Sequence, residues 1–247
     1  MLFEPNIQTK HDYWSISLVL NCHREGLLIA ASFCSLEAAA NQLALINIPI
    51  EVLICLDRPD TLTLETAEVL RDRTLFPVRL FHVDFGDLSQ SRNFAVEAAI
   101  HPWIAFLDAD DLWSVNWLKA AIPYLQASDK PENLILHPQI NLFFPEKYIH
   151  IMPNQEELKD PLGILLADNV WDSLSLAHQN IYLKHPYRPN HLSEGFGYED
   201  WAWNHETIQA GFIHRIVNKT CHFKRRSPNS LSKRSQELSV LVTPPRA

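Results

Sequence analysis

Two hydrophobic periods alternate through the first half of this chain. Ile16-Ser17-Leu18-Val19-Leu20 is a nearly continuous apolar run of strand length, and Ile29, Phe33, Leu36, Ala40 and Leu43 then recur at four and three residues, as on one face of a helix. Glu51 to Asp57 reads as a second strand and Pro77 to Val83 as a third. Leu88 to Ile100 reads as a helix with Ala95, Ala98 and Ala99 on its small face, and Trp103 to Leu107 as a further strand. Ser114 is placed to cap a helix whose Leu118, Ala121, Ile122 and Leu125 form an apolar stripe. Such alternation predicts an α/β fold: a mostly parallel central sheet with helices on both faces, joined by right-handed crossovers. Ligands bind such sheets at the carboxyl ends of the strands. Asn21, Asp57, Asp84 and Asp108 all fall there.

The pattern changes after about residue 130. Leu134 to His137, Leu142 to Phe144 and Tyr148 to Ile151 are short apolar pieces, expected as antiparallel strands or extended connections in the C-terminal half. A helix is expected from Glu199 to about Ala210, stopped by Gly211. Lys224, Arg225, Arg226, Lys233 and Arg234, set among Ser, Pro and Asn, read as a mobile basic loop. No internal repeat or low-complexity tract is visible.

Composition narrows the function classes. A formal charge of −8 over 247 residues argues against a protein that coats nucleic acid. Cys22, Cys34 and Cys55 lie in or beside apolar segments and, with Cys221, read as free thiols, the first three buried, in a cytoplasmic protein. Met1 to Asp12 has no signal-peptide pattern, and no apolar run approaches the roughly 20 residues that span a bilayer. Peripheral contact with the inner face of the membrane stays open, because an interfacial contact needs no motif.

The candidate chemistry centres on Trp103 to Asp111, an apolar run ending in Asp108-Ala109-Asp110-Asp111. A buried strand that delivers Asp108 and Asp110 to its carboxyl end points both side chains to one side, because strand side chains alternate with period two. Paired carboxylates suit Mg²⁺ or Mn²⁺, which keep waters and complete their shell with phosphate oxygens. On spacing alone, a solvated acidic turn is an equal reading.

Five stretches in order make the sequence resemble the family 2 glycosyltransferases of the GT-A fold. They are Ser15 to Glu25, the strand ending in Asp57, Asp87-Leu88-Ser89-Gln90-Ser91-Arg92-Asn93, Asp108-Ala109-Asp110, and Gly195-Phe196-Gly197-Tyr198-Glu199-Asp200-Trp201. The resemblance implies one domain over residues 1–247: a nucleotide-sugar-binding half at about 15–115, an acceptor-binding and catalytic half at about 116–232, and a tail at 233–247. It further implies a sugar-nucleotide donor held by Asn21, His23, Glu25, Asp57, Arg92 and Asp108, with UDP-sugar favoured and Asp57 receiving an imide N–H from the base. Asp108, Asp110 and His222 become the expected ligands of Mn²⁺ or Mg²⁺. Asp111 would stand behind them or help start the next helix. Asp200 becomes the general base of an inverting reaction, and Glu199 its neighbour that orients the acceptor or braces the loop. Arg225 and Arg226 would close over the diphosphate, and one or two of Trp103, Trp113, Trp117, Trp201 and Trp203 would touch a sugar.

The implied activity is transfer of a sugar from a nucleotide diphosphate to a saccharide or glycolipid hydroxyl, as in cell-surface polysaccharide synthesis. Two alternatives compete: a sugar-nucleotide nucleotidyltransferase, which needs a glycine-rich loop where only Gly26 lies, and a catalytically silent nucleotide-sugar-binding module.

Overall fold

The computed structural model describes residues 12–227 and 230–244. The reading of the first eleven residues, and the last three of the tail, lie outside that range. The chain runs β1 (Ile16–Cys22), α1 (Leu28–Ala44), β2 (Ile50–Asp57), α2 (Thr61–Arg73), β3 (Val78–Val83), α3 (Leu88–Ala98) and β4 (Trp103–Asp108). It continues through β5 (Leu112–Trp113), α4 (Trp117–Gln126), β6 (Leu134–Phe144), β7 (Tyr148–Ile151), the single turn α5 (Pro161–Ile164), β8 (Leu176–His178) and α6 (Gln179–Lys184). Last come β9 (Phe196–Gly197), α7 (Glu199–Gln209), β10 (Ile213–Arg225), α8 (Leu231–Glu237) and β11 (Leu241–Val242).

A nine-stranded sheet in the order β3-β2-β1-β4-β8-β6-β10-β5, with β7 beside β6, forms the centre. The first four strands in that order are mutually parallel, and β10 is parallel to β6; β8, β7 and β5 supply the antiparallel pairs. The expected α/β class holds. Side-chain alternation divides the core between the two faces. Leu18, Leu20, Ile54 and Leu107 join α1 and α4 on one side, while Val19, Leu53, Ile104 and Phe106 join α3 and α6 on the other.

β1 pairs with β2 on one edge and β4 on the other, so the chain reverses direction across the sheet at this strand. The carboxyl ends of β1 and β4 therefore open a crevice, the usual ligand position in such sheets. Asn21 and Cα partner Asp108 lie at its base.

Several expectations need correction. Leu134 to His137 and Leu142 to Phe144 belong to one strand, β6. Pro138, which has no N–H, sits where the β6–β10 register shifts, and that interruption made one strand read as two. The basic loop is ordered at both ends: Lys224 and Arg225 lie in β10, Lys233 and Arg234 in α8. Ser114 does not cap α4, whose preceding residue is Asn116; its hydroxyl accepts from the Cys221 amide at 3.0 Å. Cys34 is exposed rather than buried. Among the described residues, no helix is long and apolar enough to cross a membrane.

Candidate active site

The acidic motif is built by a turn, not by strand alternation. β4 ends at Asp108, the Ala109 amide donates to the Asn21 carbonyl at 2.9 Å, and the Asp111 amide donates to the Asp108 carbonyl at 3.0 Å. Each of the three carboxylates then meets a cation from elsewhere in the chain. Arg92 Nη2 on α3 donates to both oxygens of Asp108 at 3.0 and 3.1 Å, and Arg225 Nη2 donates to Asp110 at 2.8 Å. The buried Asp111 carboxylate accepts from the Arg225 amide at 2.7 Å and lies 3.7 Å from Lys224 Nζ. Asp111 thus anchors β10 under the site and does not start α4.

Arg92 is the hub. It is 1% exposed, and its Nη1 donates to Glu199 at 2.9 Å, so one guanidinium ties the end of β4 to the start of α7. Burial alone would lower its pKa, but the Asp108 and Glu199 carboxylates outweigh that and hold it above its ordinary value. The expectation that Arg92 reaches the donor directly is corrected to this extent: both of its Nη atoms are engaged by the two carboxylates, and only its Nε is without a partner.

Asp57 is corrected in the same way. Its Oδ1 accepts from the Phe85 and Gly86 amides, both at 2.9 Å, and its Oδ2 from the Asp87 amide at 3.1 Å and the Ser91 hydroxyl at 3.0 Å. Four donors fill the acceptor capacity of a carboxylate. Asp57 shapes the loop after β3 instead of reading a base. In the loop after β1, Glu25 accepts from the His23 amide at 2.6 Å, and the His23 ring meets the Asp57 carbonyl. Burial pushes the Glu25 carboxyl up, and the Asp110 charge adds to this, which places the loop beside the acidic motif. Asn21 is 4% exposed, and neither polar atom of its side chain has a protein partner.

Asp200 is the second residue of α7 and is partly exposed, with Oδ1 held by the Trp201 amide at 2.8 Å. Burial, then the Glu199 charge, pushes its carboxyl up to about 7 against the pull of Arg92 and Lys224. Such a group is half ionised near neutrality, as a general base requires. Burial likewise raises Asp110, and takes Asp111 to about 8.

His222 lies on β10, fully buried between the rings of Trp113 and Trp117. Its Nδ1 stands 3.9 Å from Asp172, beyond hydrogen-bond reach, and both ring nitrogens lack partners. Among the described residues, no three His, Cys, Asp or Glu side chains are grouped to hold a metal. The structure therefore does not gather Asp108, Asp110 and His222 into one ligand set. Arg226 packs 4.3 Å over Phe143 rather than over the crevice. Of the five tryptophans expected near the sugar, Trp103, Trp113, Trp117 and Trp203 are core residues, and Trp201 is partly exposed.

Two residues escaped the sequence reading. Asp172 is held by Asn141 Nδ2 at 2.7 Å and the Leu174 amide at 3.0 Å, with Lys224 Nζ at 3.4 Å. No motif surrounds Asp172, and Lys224 was visible only as one charge in a basic run.

The family model described as Glycosyl transferase family 2 matches residues 17–152. No curated protein gives a significant match. Among solved structures, S. aureus TarS 1–349 in complex with UDP-GlcNAc superposes with a TM-score of 0.60 at 14% identity, over 87% of this chain and 60% of that one. TarS 1–349 alone gives 0.57 at 16% identity over 85% and 60%, and its UDP complex 0.52 at 16% over 87% and 61%. The chain thus spans about 60% of those structures, and the likeness is one of fold.

Proposed function

The chain belongs to glycosyl transferase family 2, and on that premise we propose that it is an inverting, metal-dependent enzyme that moves a sugar from a UDP-sugar to an acceptor hydroxyl. The observation that carries this reading is the Arg92 bridge: Arg92 pairs with Asp108 and with Glu199, the latter 107 residues further along the chain, and so sets the acidic motif against the Glu199-Asp200 pair. A uridine donor is supported by the TarS complexes with UDP-GlcNAc and UDP. Asn21, whose amide still offers a donor and an acceptor, is the residue we assign to the base or ribose.

A divalent cation fits the donor set. Asp108 and Asp110 offer hard oxygen ligands, and the carboxylates of Asp108, Asp110, Asp111, Asp172, Glu199 and Asp200 outnumber the cations Arg92, Lys224 and Arg225 among them. With Asp108 and Asp110 as protein ligands, phosphate oxygens and water would complete the shell. When bound, the metal supplies charge stabilisation to the leaving diphosphate.

The remaining work falls to the chain. Asp200, through its Oδ2, takes the proton from the acceptor hydroxyl as that oxygen attacks the anomeric carbon from the face opposite the diphosphate. Glu199, pinned by Arg92, braces the loop. Arg225 offers its partly exposed guanidinium to the departing phosphate.

A panel of nucleotide sugars tested with Mn²⁺ for thermal stabilisation and slow hydrolysis decides the donor. We expect UDP-sugars to stabilise the protein and to be hydrolysed. Stabilisation by none of them, or only by nucleoside triphosphates, would overturn the proposal.

A further inference from the structure

The turn that delivers Asp200 is held from outside by the segment 231–244. β9 has two residues between Gly195, at φ +83°, and Tyr198, and Tyr198 itself takes the left-handed conformation at φ +59°. A non-glycine residue in that region persists where its surroundings over-determine it. The residues leading into Tyr198 are held by β11, which lies parallel to β9. The Leu241 amide donates to the Gly195 carbonyl at 2.8 Å and the Thr243 amide to the Gly197 carbonyl at 3.1 Å. The other side of β9 has one bridge, from Phe196 to His191.

Side chains lock the same contact. Val240 is 7% exposed and Ser235 1% exposed. A Cβ on Gly197 would meet Leu192 Cδ2 at 3.0 Å and Val240 Cγ2 at 3.1 Å, so the segment approaches this glycine as closely as a missing side chain permits. Arg188 then closes the arrangement, donating to the Pro244 carbonyl while pairing with Glu206 of α7.

We propose that residues 231–244 form a positioning strap for the catalytic base, with Val240, Thr243 and Arg188 as its positioning residues. Its hydrogen bonds to Gly195 and Gly197, and from Arg188, direct its effect to the turn and to α7. The inference rests on Asp200 being the base, and its test has a readout independent of that assignment.

The test compares full-chain variants by amide hydrogen exchange, UDP binding with Mn²⁺ present, and sugar transfer. Val240→Asp sets a carboxylate against Gly197 and should lift the strap. We expect faster exchange at Leu241 and Thr243 and, with them, at residues 196–200, while β1 and β4 stay protected. Displacement of the base should lower kcat by about tenfold to a hundredfold, with UDP affinity within about twofold. Gly197→Ala should show the same split, and Gly197→Ala with Val240→Ala, which frees space beside the new methyl, should recover most of the rate. If β11 amides exchange freely while residues 196–200 stay protected and kcat is parental, the strap positions nothing. If Val240→Asp unfolds the whole chain, the alanine pair decides, and a parental kcat in Gly197→Ala overturns the inference. Loss of protection at 196–200 with transfer intact would leave the strap standing as a fixture of the turn but overturn its role toward a base.

Discussion

Replacing Arg92 with Met removes the one group that neutralises both Asp108 and Glu199. The change deletes two hydrogen bonds to Asp108, one to Glu199, and the cation's contact 5.4 Å from the Tyr187 ring centre. The Glu199 side chain is 8% exposed and cannot turn to water, whereas that of Asp108, at 22%, can do so in part. Most of the penalty therefore arises at Glu199. Breaking a buried ion pair by removing one partner costs about 3–5 kcal/mol. For a chain of this size, that corresponds to a fall of about 6–20 °C in Tm, at roughly 2–4 °C per kcal/mol. Arg92→Lys should recover only part of it, because one ammonium cannot reach both carboxylates with a planar fork. Arg92→Met combined with Glu199→Gln should be less destabilised than Arg92→Met alone, since the orphaned charge is gone. Urea and thermal unfolding of the four proteins measure these differences. A loss below about 1 kcal/mol for Arg92→Met, the scale of an exposed pair, would refute the bridge. Weak UDP binding with unchanged stability would return Arg92 to direct contact with the donor.

Three further outcomes follow from the same geometry. Asp200 must be ionised to accept a proton and its carboxyl titrates at about 7, so kcat should fall about tenfold per unit as the pH drops below neutrality; a rate flat down to pH 5 would contradict this. Asp110→Ala should abolish Mn²⁺-dependent UDP binding seen by calorimetry, while leaving Tm close to parental because the side chain is partly exposed; undiminished metal-dependent binding would remove it from the ligand set. Burial lowers the His137 pKa to about 3, and His214, beside it at 2.9 Å, is also held well below the ordinary histidine value, first by burial and then by His137. The unfolded chain takes up these protons first, so stability is full above the unfolded value near 6.5 and should decline as pH falls from there toward 3, by up to about 1.4 kcal/mol per unit for each histidine. Urea midpoints between pH 7 and 4 measure that slope, and His137→Phe should flatten it.

The parts of the fold that were legible in the sequence are those with one dominant period. β1, β2 and β4 are buried on both faces and read as apolar runs, and α1 buries Ile29, Phe33, Leu36, Ala40 and Leu43 as their spacing predicts. Helix α2 passed unnoticed because only Thr63, Ala67 and Leu70 are buried and its remaining face is polar. β10 was hidden by Asn218 and Lys219 at its bulge, where Lys219 has φ +62°, so that its end read as a basic loop. For the site, strand-end positions were legible at Asn21, Asp57 and Asp108, but hydrogen-bond occupancy was not. Asp57 is held by amides 28 to 30 residues away and Arg92 is paired with a carboxylate 107 residues away, and such pairings leave no trace in local spacing. Asp172 lacked any motif for the same reason.

The account stands or falls on Asp200→Asn, measured for both donor binding and transfer with the UDP-sugar that the wild-type chain hydrolyses. Asparagine keeps the size of the side chain and an oxygen for the Trp201 amide, now at 2.8 Å, but cannot take up a proton. The account predicts metal-dependent UDP affinity within about twofold of parental and a kcat lower by on the order of 10²–10⁴. Transfer at the parental rate would contradict it and pass the role of base to another residue, with Glu199 the first to be examined.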